Sequence, residues 1–160
     1  MMDLRQNRGV TLIEMLVVLG VIMVLAAIVV SLTLRVENQS QENALRNAFA
    51  LVSSSLREYY DFKGQFPPQA ERNSANALAH MESMYQELRA VPASRLVLVK
   101  VSESLIKSAG TTVDVQYMCD PWGTVMDYVY AAEDTFPELI SAGPDRQFGT
   151  GDDISSKSRR

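Results

Sequence analysis

The sequence is short of the residues on which most site chemistry is built. Cys119 is its only cysteine, so an intrachain disulfide is excluded. His80 is its only histidine, which excludes a multi-histidine metal centre. No nucleophile with a plausible base is recognisable, so an enzyme is not expected. His80 itself is expected on a helix surface. Basic residues are also in the minority, with 15 Lys and Arg against 19 Asp and Glu, a formal charge of −4. An acidic chain has no electrostatic footprint for a nucleic-acid backbone. Neither glycine nor proline occurs between Val21 and Lys63, and no ionisable residue between Met15 and Leu34. No internal repeat is present.

The stretch without charge is itself informative. Its 20 residues are rich in Leu, Val, Ile and Met. As a helix they span about 30 Å, the thickness of a bilayer's hydrocarbon core. Arg5 and Arg8 precede the run, which predicts an N-terminus that stays in the cytoplasm. A cleaved secretory signal is a poor description. The apolar run is too long for its apolar region, and no strong small-x-small site follows. At the mouth of the run stands one carboxylate, Glu14. A charge within such a helix costs roughly 2.5–3.5 kcal/mol at its centre. Glu14 therefore needs a partner and a purpose.

The junction Gly9-Val10-Thr11-Leu12-Ile13-Glu14 resembles the class III signal of type IV prepilins and pseudopilins. That resemblance implies cleavage after Gly9 by a dedicated peptidase on the cytoplasmic side, then methylation of the new N-terminus at Val10. Glu14 becomes the fifth residue of the mature chain. Its implied role is to pair with the N-terminus of a neighbouring copy, two charges offsetting each other in low dielectric. Val10 stands where the family prefers phenylalanine, and Ser31 where many members carry a helix-breaking proline. Removal of residues 1–9 leaves 13 basic and 18 acidic residues, a charge of −5.

Beyond Arg35 the composition turns polar but helical periodicity persists. Leu45, Ala48, Phe49, Val52, Leu56, Tyr59 and Tyr60 recur at three- and four-residue spacing. Residues 36–62 thus continue one long helix, ended by Gly64 and by Pro67-Pro68. Residues 74–89 read as a second helix, with Ala77, Leu78, Met81, Met84, Tyr85 and Leu88 on one stripe, and Pro92 ends it. Residues 95–101 alternate only partly. Residues 113–117, 125–130 and, more briefly, 136–141 read as strands. Asp120-Pro121-Trp122-Gly123 turns between the first two, with Trp122 a packing residue. The expected fold is α+β: a long N-terminal helix packed on a small antiparallel sheet. The expected divisions are a leader at 1–9, a membrane and assembly helix at 10–34, an amphipathic extension at 35–63, a soluble module at 64–154 and a disordered tail at 155–160.

The motifs Gly64-Gln65-Phe66-Pro67, Asp120-Pro121-Trp122-Gly123 and Ser141-Ala142-Gly143-Pro144-Asp145 resemble those of the major pseudopilins of type II secretion. The segment from Asp145 to Asp153 holds three aspartates in nine residues, with Gly149 and Gly151 to turn it. Hard oxygen donors on a loop suit Ca²⁺, although the spacing is not that of an EF-hand. By itself such a cluster is more often solvated. The resemblance implies calcium held by Asp145, Asp152 and Asp153, with backbone carbonyls near Ala142 and Thr150 completing the shell. A bound ion would clamp the loop in place of a disulfide.

The resemblance therefore implies a structural subunit of the inner membrane, its C-terminal domain periplasmic. Its partners would be copies of itself, minor pseudopilins, the membrane assembly platform and the prepilin peptidase and methyltransferase. A type IV pilin or DNA-uptake subunit shares the same features. A membrane-anchored calcium-binding module that never polymerises is a third possibility, disfavoured by Glu14.

Overall fold

The computed structural model describes residues 12–69, 71–108 and 116–158, with the side chains of 30–36 left aside. It divides into two compact units, residues 1–40 and 41–160. In the first, α1 (Leu12–Lys63) begins. Its opening stretch Leu12–Val29 has a mean hydropathy of 3.0, and none of it is buried within the chain. By length and composition this is a helix able to cross a membrane.

In the second unit α1 turns amphipathic. Leu45, Ala48, Phe49, Val52, Leu56 and Tyr59 are buried on one stripe. Tyr60, expected with them, is 44% exposed, and its ring meets Phe66 at 4.7 Å. The helix stops at Gly64, whose φ of 74° suits only glycine comfortably. Its N–H caps the carbonyl of Tyr60 at 2.7 Å. Phe66 then packs edge-on against Tyr130 and Phe136, fixing the reversal of the chain.

A short 3₁₀ turn, Ser74–Asn76, leads into α2 (Ala77–Ala90). The buried face of α2 is Ala77, His80, Met81, Met84, Tyr85 and Leu88. Leu78 is 43% exposed, so the apolar arc extends toward His80 instead. Pro92 does end the run that α2 began, but it also starts α3 (Pro92–Leu98) as its first-turn proline. The partly alternating segment 95–101 is thus mostly helical. Buried Ser55 on α1 donates to the Ser94 carbonyl at 2.9 Å, and the two hydroxyl oxygens lie 2.7 Å apart.

Among the described residues five strands form two antiparallel sheets. β1 (Ile106–Ser108) pairs with β2 (Gln116–Met118). β3 (Asp127–Val129), β4 (Glu138–Ser141) and β5 (Ile154–Ser155) form the other, with β4 central. The strand expected over 113–117 lies partly outside the described residues. The single sheet anticipated from the sequence is thus two, joined by a bridge between Cys119 and Val125 and by Met126 N–H donating to the Met118 carbonyl at 3.1 Å. Ser155, expected to open a disordered tail, belongs to β5 instead. Its neighbour Ser156 donates its N–H to Leu139 at 2.9 Å and accepts that residue's N–H at its hydroxyl. The C-terminal segment is held because β4 has an open edge whose backbone groups need partners.

Candidate functional site

Two regions carry the residues singled out in the sequence. The first is the start of α1. Gly9 and Val10 lie outside the described residues. Glu14 falls in the first helical turn, on the exposed surface of the apolar span. A carboxylate there complements the positive end of the helix dipole. The arrangement places one acid at the head of a helix otherwise suited to lipid.

The second is a pair of turns behind the acidic loop. Asp120 opens the DPWG turn and is 2% exposed. Its Oδ1 accepts the backbone N–H of Trp122 at 3.1 Å and of Thr124 at 2.9 Å. Its Oδ2 accepts the Ser141 hydroxyl at 2.7 Å, and Ser141 Oγ accepts the Gly143 N–H at 3.1 Å. One buried carboxylate therefore ties the turn after β2 to the end of β4, where the acidic loop begins. Gly123 completes the turn at φ 91°. The sequence marked Asp120 as turn punctuation and Ser141 as part of a motif, but not the bond between them. Neighbouring Cys119 is free and 3% exposed. Burial, then the Asp120 charge beside it, pushes its thiol pKa up, so it is a poor nucleophile.

The loop after β4 closes tightly. A side chain on Gly143 would bring its Cβ within 2.3 Å of the Asp152 carbonyl oxygen. Asp145 Oδ1 accepts the Gln147 N–H at 2.8 Å, and Asp153 Oδ2 accepts the Gly149 N–H at 2.7 Å. Asp152 takes the Thr150 hydroxyl at 2.6 Å on one oxygen and the Asp145 N–H at 3.0 Å on the other. These bonds, the Thr150 hydroxyl first, hold the Asp152 carboxyl below its ordinary value. Asp153 Oδ1, by contrast, is buried and has no hydrogen-bond partner. Together with Glu42 and Arg46 of α1, Asp152 and Asp153 line a cavity of about 190 Å³. Ala142 is fully buried, whereas Thr150 is exposed. Among the described residues no three Asp, Glu, His or Cys side chains converge as a metal-holding set. The aspartates instead close turns one by one.

His80, expected at the surface, is 8% exposed. Its Nδ1 lies 2.8 Å from Asp127 Oδ1 on β3 and 3.1 Å from Gln69 Nε2. Gln69 in turn accepts the Tyr130 N–H at 2.6 Å. The cause is rotational: His80 shares the α2 face of Met84 and Leu88, and that face packs on β3. The buried carboxylate gives the ring's Nδ1 a partner, whereas Nε2 is buried without a hydrogen bond.

Residues 4–30 match the family described as the prokaryotic N-terminal methylation motif. Over 152 residues the chain is 29% identical to the type II secretion system core protein G of Escherichia coli (strain K12), covering 94% of this chain and 91% of that relative. No solved structure matches. The chain thus carries a prepilin-type methylation motif, is similar along nearly its whole length to a type II secretion core protein, and has the pilin-like arrangement of a long apolar N-terminal helix with small antiparallel sheets.

Proposed function

We propose that this chain is a structural subunit of a type II secretion pseudopilus, processed by cleavage after Gly9 and methylation at Val10. The observation that carries the reading is Glu14, an acid in the first turn of the otherwise apolar span Leu12–Val29, within the matched methylation motif. The cleaved chain would offer a new amino group four residues ahead of that acid. Pairing of Glu14 with the amino group of the next copy removes two charges from lipid at once and sets the axial step between subunits. The apolar helix anchors the precursor in the inner membrane, with the N-terminus cytoplasmic and residues 41–160 periplasmic. Repeated addition of copies at that membrane, with minor pseudopilins and an assembly platform, pushes cargo outward. The work done is mechanical. The covalent steps belong to the peptidase and methyltransferase that act on the chain.

The test has two arms. Mass spectrometry of the protein from the membrane is expected to show an N-terminal methyl-Val10. An intact Met1, or a cut elsewhere, would overturn the processing step. Glu14→Ala is expected to be cleaved normally yet to give no filaments when overexpressed with the secretion machinery. Filament yield equal to wild type would overturn the pairing role.

We also propose that the loop of Asp145, Asp152 and Asp153 takes Ca²⁺. Support comes from its hard oxygen donors and from Asp153 Oδ1, a buried carboxylate oxygen without a hydrogen bond. Asp145, Asp152 and Asp153 would hold the ion, with the carbonyls of Ala142 and Thr150. The ion would supply fixed positive charge, and the carboxylates would exchange some of their internal hydrogen bonds for it.

A further inference from the structure

We propose that a cleft between α2, α3 and the β1–β2 hairpin docks a peptide segment of another protein, one that carries a carboxylate beside branched apolar side chains. The cleft encloses about 390 Å³, room for one or two side chains. Arg89 on α2 and Arg95 on α3 both line it, against a single acid, Glu103. This is a local surplus of positive charge on a chain whose net charge is −4.

Arg89 is held ready. Its Nη1 donates to Gln116 Oε1 on β2 at 2.9 Å, and its guanidinium lies 6.0 Å from the Tyr85 ring centroid. A guanidinium fixed in this way loses little freedom when it meets a carboxylate. The Arg95 side chain is exposed and makes no hydrogen bond or ion pair among the described residues. The floor is rigid, since Leu98 and Val101 are each only 2% exposed.

Beside the cations runs an apolar ridge. Val99 lines the cleft at 75% exposure, and Leu96, three residues earlier, is 72% exposed. Outside the apolar span of α1 these are the most exposed large hydrophobic residues described. An inorganic anion would use the arginines and leave this ridge wet. A lipid surface is flat and would leave the concavity empty. A peptide with an acid next to leucine or valine uses both, and Tyr and Arg anchors around a preformed pocket are typical of protein interfaces.

The test uses the full chain in nanodiscs of neutral phosphatidylcholine. A fluorescein-labelled peptide of alternating leucine and glutamate is titrated and read by anisotropy, with its leucine–lysine twin as comparison. The acidic peptide is expected to bind saturably, the basic twin not at all. Arg95→Gln and Val99→Ser are each expected to weaken binding about five-fold or more without moving the melting temperature, since both side chains project from the surface. Equal affinity for the two peptides, or wild-type affinity in both variants, would mean partition into lipid and overturn the proposal. Absence of peptide binding together with self-association abolished by Arg95→Gln would make the occupant a second copy, and would likewise overturn it.

Discussion

The hydroxyl of Ser141 donates a 2.7 Å hydrogen bond to Oδ2 of Asp120, and so joins two loops 21 residues apart in sequence. Both residues are almost wholly buried. The same carboxylate organises the DPWG turn through its other oxygen. The end of β4, and with it the entry to the acidic loop, is positioned by this one side chain.

Replacement of Asp120 by alanine leaves the Ser141 hydroxyl and two backbone N–H groups without their acceptor. A loss of about 3 kcal/mol or more is expected, because hydrogen bonds to a buried charged group are worth about 1.5–3 kcal/mol each. Asp120→Asn keeps an acceptor for the turn and is expected to cost less. Denaturant unfolding followed by the fluorescence of Trp122, the only tryptophan, reads both directly. Equal stability of wild type and the alanine variant would remove the role given to Asp120.

Gly143 and Gly149 both adopt positive φ, at 67° and 87°, but their surroundings differ. A Cβ on Gly143 would collide with the Asp152 carbonyl, whereas one on Gly149 meets nothing within 4 Å. Gly149→Ala should therefore cost only the left-handed backbone penalty, about 1–2 kcal/mol. Gly143→Ala should cost more and open the loop. Faster hydrogen exchange at the Asp145 amide, which is bonded to Asp152, would report that opening.

Tyr59 donates its hydroxyl to Glu87 Oε2 at 2.7 Å. Burial, and then this carboxylate, push its pKa from 10.0 up to about 12. The folded state thus favours the neutral phenol. The resulting stability is intact below pH 10 and is lost as pH rises toward about 12, with a limiting slope of about 1.4 kcal/mol per pH unit. Tyr59→Phe is expected to cost about 1 kcal/mol at neutral pH, from the missing hydrogen bond, yet to flatten the alkaline decline. Circular dichroism melts between about pH 9 and 12 would show it.

If the acidic loop takes calcium, millimolar Ca²⁺ should raise the melting temperature of the full chain, and a chelator should reverse the rise. At a ligand concentration 100 times the dissociation constant the gain is about 2.7 kcal/mol. Asp153→Asn is expected to abolish most of that response while changing the calcium-free stability little, because its buried Oδ1 makes no hydrogen bond to lose. A response unchanged in Asp153→Asn would place the ion elsewhere.

Local patterns were readable where one residue's neighbours in sequence are also its neighbours in space. The stripe from Leu45 to Tyr59 and the Gly64 cap depend only on helical spacing and backbone freedom. The DPWG turn belongs to the same class. The burial of His80 is not legible, because a lone polar residue on a helix gives no sign of a carboxylate 47 positions away on β3. Helix α3 is not legible in the sequence, because a proline that ends one helix is equally suited to begin another. The division into two sheets was hidden because strand pairing depends on tertiary register, which alternation along one strand does not encode.

What the amino-acid order alone determined is the apolar helix with Glu14 at its head, the motif that precedes it, and the acidic loop. Each follows from composition and spacing along a continuous segment. Only the tertiary structure decided that Asp120 clasps Ser141, that Gly143 lies against Asp152, and that Asp127 faces His80. Those are contacts between distant segments, brought together by burial of the α1 and α2 stripes against the sheets. Desolvation then makes each polar partner costly to lose.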